Sequence, residues 1–132
     1  MKTASDPRHK KRIRAFKALY ASTFTEAPIM NIRARKVKAR MEEIDIIITK
    51  CAPEWPISQI NRTDLSVLRL AIWELIAKPN TPTKVIIDEA VEIAKRYGSS
   101  SSGSFVNGAL AGALPLTRPE DANTKEEIKT PA

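Results

Sequence analysis

Apolar side chains recur at helical spacing near the start of the chain. At 100° per residue they fall on one arc, and Lys10, Lys11, Arg14 and Lys17 gather on the opposite side. Asp6 and Pro7 suit the N-cap and the first turn of a helix. The pattern therefore predicts an amphipathic helix that begins near Pro7 and presents a cationic stripe. The apolar arc contains Ile13, Phe16, Leu19, Tyr20 and Phe24.

Two further periodic segments follow. Residues 31–51 place Val37, Ile44 and Ile48 on one seam, which predicts a single continuous helix. Residues 64–78 are apolar around more than half of a helical circumference, with Thr63 or Asp64 as the N-cap. We expect this segment to be the central and most buried helix.

The last third of the chain predicts two helices and a tail. Residues 83–97 read as a helix with Thr83 as its cap and Gly98 at its end. "SSSSGS" predicts a flexible hinge, after which a short helix begins at Phe105 and stops at Pro115. Residues 115–132 are polar and without period, which predicts a disordered tail.

The composition supports one all-α domain. The chain has 132 residues, of which 42% are hydrophobic, enough for one core but not for two full domains. Aromatic residues make up 5% and glycines number four, a balance that favours helix packing over a sandwich or barrel. We expect a flexible basic arm over residues 1–7, a helical domain over residues 8–114 and the polar tail.

The positive charge is concentrated in the first part of the chain. Residues 1–51 contain 13 Lys and Arg against 5 Asp and Glu, whereas residues 52–132 contain 9 against 10. A polyanion that met this end of the molecule would gain from Coulomb attraction and counterion release. The alternative is a solvated basic face that aids solubility, and charge alone does not separate the two.

Few residues could carry catalysis or hold a metal. The chain has one histidine, His9, and one cysteine, Cys51, which lies in an apolar seam where a small buried thiol is the default. The sequence shows no cluster of metal ligands, no phosphate-binding glycine loop and no nucleophile motif. We expect no enzyme activity, no metal and no cofactor. Without a membrane span or a signal peptide, the expected location is the cytoplasm.

Recognition is the chemistry that remains, and Phe105 is its most informative aromatic. An exposed aromatic beside a serine loop could stack on an unpaired base. Helical period alone favours the other interpretation, in which Phe105 fills the core.

Four stretches resemble the NusB family of bacterial transcription antitermination factors. They are "RIRAFKALYA", "TDLSVLRLAIWELI", "TPTKVIIDEAVEIAKRYG" and "SFVNGALAGAL", in the order and spacing of that family. The last two are the most specific, and the resemblance covers roughly residues 8–114. It implies an all-α fold, a compact helical bundle of two packed helical subdomains.

The resemblance also implies partners and site residues. NusB proteins bind boxA-type single-stranded leader RNA, usually with ribosomal protein NusE, and act on elongating RNA polymerase to suppress termination during ribosomal RNA transcription. By position, the start of the first helix and the loop before the Phe-Val-Asn-Gly motif face RNA, and two other residues, Tyr20 and Glu74, face NusE. The residues predicted to contact RNA are Arg8, Lys10, Lys11, Arg12, Arg14, Ser101 and Phe105.

The chain also departs from the family pattern. Only about ten residues separate the first helix from the long basic segment, so the first subdomain is expected to be abbreviated. A cluster of basic residues over 33–40 has no family counterpart and would extend the RNA surface if it lay near Arg12. A second hypothesis is a non-catalytic module that binds protein or forms a homodimer, without sequence-specific RNA binding.

Overall fold

The computed structural model describes residues 6–124, and within this range it contains six α-helices and no strand. The predicted all-α fold is confirmed. Residues 1–5 of the predicted arm and residues 125–132 of the predicted tail lie outside the described range. The helices are α1 (Pro7–Ser22), α2 (Ile32–Ala39), α3 (Met41–Cys51), α4 (Arg62–Ala77), α5 (Thr83–Tyr97) and α6 (Ser102–Thr117), with short 3-10 helices at Ile57–Gln59 and Pro119–Thr124.

Helix α4 lies at the centre of the bundle, as predicted. It contacts α1, α2, α3, α5 and α6, and Leu68, Ile72 and Leu75 are almost completely buried along it. Each such side chain contributes about 1.5–3 kcal/mol through removal from water. Because α4 carries one continuous core cluster, the parts of the bundle on its two sides are packed together rather than separate.

Helix α1 runs antiparallel to α4 and parallel to α5. Arg12 meets Glu74 near the end of α4, and Phe24, just beyond α1, meets Arg62 at the start of α4. Similarly, His9 contacts Glu89 in the first half of α5. The second half of α1 packs through its aromatic residues against the last residue of α5. The basic start of α1 therefore lies at the opposite end of the bundle from the start of α6.

The prediction of one helix over residues 31–51 is wrong. The helix breaks at Arg40, which ends α2 and precedes α3 with a non-helical backbone (φ −115°, ψ 21°). The two pieces have different neighbours, since α2 packs on α1 and α4 whereas α3 packs on α4 and α6. A straight helix could not pack on both of these sets of neighbours. The Arg40 side chain pairs with Glu43 across the break at 3.0 Å.

Two predicted helix caps are also wrong. Asn61, not Thr63 or Asp64, caps α4, because its side chain accepts the Asp64 backbone N–H at 2.8 Å. Thr83 is the first residue of α5 and follows the N-cap residue Pro82. Its hydroxyl is engaged instead by Asp121 and by Arg118.

The serine run does not form a hinge before Phe105. Helix α5 ends with Gly98 in the predicted C-cap position, and α6 already begins at Ser102. The Ser102 hydroxyl accepts the Ser99 backbone N–H at 2.9 Å, and Ser102 is fully buried. A side chain at position 98 would meet the Ala94 carbonyl oxygen at 2.8 Å as well as Ser102, so this connection requires glycine. Small residues here give a short turn rather than a flexible loop.

The chain continues in ordered structure beyond Pro115, contrary to the prediction. Pro115 lies inside α6, which runs on to Thr117. The next residue, Arg118, is buried and donates to the carbonyl oxygens of Leu75, Lys78 and Thr81 at 3.0, 2.6 and 2.7 Å. These hydrogen bonds attach the end of α6 to the α4–α5 connection, which accounts for the order that polarity and period do not predict.

Candidate nucleic-acid interface

The exposed side of α1 carries most of its positive charge. Arg8, Lys10, Lys11, Arg14 and Lys17 are all exposed, whereas Ala15, Phe16 and Leu19 on the opposite side are buried. We call these five cations the α1 cationic face. The predicted stripe on the outer side of the first helix is therefore present.

Asp6 fixes the start of this helix and partly offsets the charge of Arg8. Its carboxylate accepts the Arg8 backbone N–H at 2.8 Å and pairs with the guanidinium at 3.3 Å. These hydrogen bonds lower the pKa of the Asp6 carboxyl. Lys10, Lys11, Arg14 and Lys17 therefore carry the charge of the α1 cationic face that has no acidic partner within the described residues.

Arg12 points into the bundle rather than outward. Its guanidinium donates three hydrogen bonds of 2.9–3.1 Å to the Glu74 carboxylate, and it lies 3.7 Å from Glu89. Burial opposes the charge of Arg12, but the hydrogen bonds and charges of Glu74 and Glu89 outweigh burial, so the pKa of the guanidinium is raised. Two residues expected to face different partners, Arg12 facing RNA and Glu74 facing NusE, thus bind each other.

His9 extends this buried cluster. Its Nδ1 atom lies 2.8 Å from Glu89 Oε1, and both residues are buried. In the sequence, His9 stands out only as the one histidine, without partners for catalysis or metal binding, and its pairing with Glu89 is not predicted. The helical period does indicate that the side chains of His9 and Arg12 point inward, because both lie on the same side of α1 as Phe16. We call His9, Arg12, Glu74 and Glu89 the buried charge cluster.

Ser101 and Phe105 lie at the other end of the bundle. They line an open cleft of about 350 Å³, in which Trp55 is half-exposed and Phe105 is half-buried against the core. Phe105 therefore fills part of the core and also borders solvent. The other residues of this cleft, which we call the Phe105 cleft, are Gln59, Ile60, Asn61 and Asp64.

The predicted site residues do not meet in one pocket. Arg8 and Tyr20 are separated by about 18 Å along α1, given a rise of about 1.5 Å per residue. Two residues at the end of α5, Arg96 and Tyr97, extend the surface beyond α1. The Lys17 ammonium on α1 lies 5.6 Å and the Arg96 guanidinium 5.2 Å from the Tyr97 ring centroid. A basic and aromatic surface therefore connects the α1 cationic face to the end of the bundle that holds the Phe105 cleft.

Tyr20 belongs to an exposed aromatic patch at that end. Its ring lies 5.1 Å from Phe24 in an edge-to-face arrangement, and the Arg62 guanidinium stacks 4.3 Å from the Phe24 ring centroid. Tyr20 is 37% and Phe24 59% exposed. This patch differs from Glu74 in being accessible to a partner.

The described residues offer little for other chemistry. Among residues 6–124, no group of three metal-ligating side chains converges, and no helix there is long and apolar enough to cross a membrane. Cys51 is partly buried, and burial raises the pKa of its thiol to about 11.

Comparison with known proteins identifies relatives of this chain and of its fold. The family model for the NusB family matches residues 29–115. The chain is 38% identical to the transcription antitermination protein NusB of Lachnoclostridium phytofermentans over 75% of each chain, and 49% identical to that of Thermus thermophilus over 56% of this chain and 48% of the relative. A solved structure of T. maritima NusB superposes with a TM-score of 0.81 at 32% identity, over 94% of this chain and 99% of the other.

Proposed function

This chain belongs to the NusB family, and on that basis we propose that it is a transcription antitermination factor that binds boxA-type single-stranded leader RNA together with ribosomal protein NusE. The complex would act on elongating RNA polymerase in the cytoplasm during ribosomal RNA transcription. The protein would hold RNA and protein together and catalyse no reaction. The observation that carries this proposal is the α1 cationic face, which continues through Tyr97 and Arg96 toward the end of the bundle that holds the Phe105 cleft.

The two ends of this surface have different tasks in the proposal. The α1 cationic face contacts phosphates, which provides affinity without sequence preference. In the Phe105 cleft, Phe105 and Trp55 offer ring faces to unpaired bases, and base–aromatic stacking is worth about 1–3 kcal/mol per base. Affinity and discrimination would thus depend on separate residues.

The buried charge cluster has a positioning role in this proposal. Arg12 donates three hydrogen bonds to Glu74 and both side chains are buried, so neither presents its charged group on the surface to RNA or NusE. They instead fix the start of α1 against α4, which sets the direction of the α1 cationic face. The exposed pair Tyr20 and Phe24 is the surface we assign to NusE.

Fluorescence anisotropy with labelled boxA RNA and a scrambled RNA, with and without NusE, tests this function. Replacing Lys10, Lys11 and Arg14 by Gln removes three phosphate contacts, so the slope of log K against log salt should fall by about 2 for both RNAs. The matched control replaces Arg35, Lys38 and Lys50 by Gln, which removes the same charge from exposed positions elsewhere. Equal RNA affinity of the two triple variants would contradict the assignment.

Phe105→Leu tests discrimination separately. Leucine keeps the apolar contact with the core but removes the aromatic face, so the preference for boxA over scrambled RNA should fall by about fivefold or more. Failure of the wild-type protein to bind either RNA, combined with retention of NusE, would instead support the protein-binding hypothesis.

A further inference from the structure

A second cationic cleft lies on the side of α1 that faces α2. It has a volume of about 500 Å³, and five of its nine lining residues are cations, which come from α1, from α2 and from the end of α4. None of the lining residues is acidic. We call it the α1–α2 cleft, and its lining residues are Lys11, Arg14, Met30, Asn31, Ile32, Arg33, Lys36, Trp73 and Lys78.

Trp73 contacts two of these cations. Its indole is buried on α4, with the Arg33 guanidinium 5.8 Å and the Lys78 ammonium 5.7 Å from the ring centroid. Both distances fall within the range of cation–π attraction. The contacts favour positions of the two charges near the Trp73 ring, at one wall of the cleft.

The cations of the α1–α2 cleft lack acidic partners in residues 6–124. Other arginines have such partners, as Arg40 pairs with Glu43 and Arg69 with Asp45. The five cleft cations form no ion pair in that range, although they share one concave surface. Like charges grouped in this way repel one another and favour an anion with several separated charges.

We propose that the α1–α2 cleft binds the phosphodiester backbone of RNA that continues beyond the segment held by the α1 cationic face and the Phe105 cleft. This inference rests on the proposed RNA-binding function. Lys11 and Arg14 belong to both the α1 cationic face and the α1–α2 cleft. A strand bound to one of these surfaces therefore continues onto the other while it stays in contact with cations. At the rim, Met30 and Ile32 are 82% and 70% exposed and offer apolar contact to bases.

RNA accounts for these features better than an acidic protein segment does. The cleft is far larger than one carboxylate, and its charges are distributed along it from α1 to the end of α4. Phosphates spaced regularly along a strand match such a distribution. The cleft reads no base through hydrogen bonds in this proposal, so its contribution is independent of sequence.

The test compares a short RNA that contains only the boxA element with RNAs extended by uridines at the 5′ or the 3′ end. The cleft variant replaces Arg33, Lys36 and Lys78 by Gln. The control is again the triple Gln variant of Arg35, Lys38 and Lys50, which are exposed and do not line the α1–α2 cleft. Each variant loses one Arg and two Lys. Thermal melts establish that both variants are folded.

We expect the cleft variant to bind one of the extended RNAs on the order of tenfold more weakly than the control at low salt, with a salt slope reduced by about 2. Its affinity for the short RNA should equal that of the control. Equal affinities of the two variants for both extended RNAs would overturn the proposal. So would binding of polyglutamate that depends on these three residues while extended RNA is bound normally, since the occupant would then be protein. Wild-type protein that binds no RNA at all would refute the proposed function itself.

Discussion

The pair formed by Arg12 and Glu74 gives the sharpest test of how α1 is anchored. Both side chains are buried, and three hydrogen bonds join them. Arg12→Met leaves the Glu74 carboxylate without its main partner in the interior. Removing one partner of a buried ion pair costs about 3–5 kcal/mol, because the remaining charge is buried and uncompensated.

A double variant separates this cost from the value of the pair. Arg12→Met with Glu74→Leu replaces both charges by apolar groups of similar size, which is often neutral or stabilising. Glu89 keeps its contact with His9 in this variant. We therefore expect urea denaturation followed by circular dichroism to show a loss of about 3–5 kcal/mol for Arg12→Met and recovery of most of that loss in the double variant.

RNA binding by the stable double variant then distinguishes positioning from direct contact. If Arg12 only positions α1, the double variant binds boxA RNA with the salt slope of the wild-type protein. A direct phosphate contact by Arg12 would lower that slope by about 0.7. An Arg12→Met protein as stable as wild type would refute the argument from burial, since it would mean that the guanidinium is solvated.

Two further predictions concern the end of α6 and the thiol. Arg118→Ala removes the buried donor to the carbonyl oxygens of Leu75, Lys78 and Thr81. The free energy of unfolding measured by urea denaturation should therefore fall by about 2–4 kcal/mol. A loss below about 0.5 kcal/mol would agree with a disordered tail instead. Cys51, with a thiol pKa raised to about 11, should react with iodoacetamide at pH 8 about a hundredfold more slowly than an unfolded thiol, because only the thiolate reacts; equal rates in native buffer and in urea would contradict its burial.

Local pattern was sufficient for the helices that keep one pattern of buried and exposed positions along their whole length. Helix α4 is apolar around most of its surface, and α1 has one apolar arc, so period alone places them correctly. The break at Arg40 depends instead on which helices α2 and α3 each contact, and that information is not local. The same holds for Pro115, where a general rule about proline predicts a stop but Arg118 supports continuation.

The candidate site divides in the same way. The outward direction of Lys10 and Arg14 follows from the period of α1, as does the inward direction of Arg12 once its alignment with Phe16 and Leu19 is considered. The pairing of Arg12 with Glu74 could not be predicted from the sequence, because the two residues are 62 positions apart. The assignment of Arg12 to RNA came from its position in the family motif, whereas the structure has its side chain buried against Glu74.

The attachment of Arg118 has a consequence for synthesis of the protein. The carbonyl groups at the end of α4 and in the turn before α5 receive their donor from a residue about forty positions later in the chain. During synthesis, α4 and the turn before α5 leave the ribosome before Arg118 does. At that stage these carbonyl groups lack the hydrogen bonds from Arg118. Lys78 and Glu74 lie in the same corner, so we expect the surface beside the start of α1 to reach its final form only after α6 and Arg118 have been synthesised.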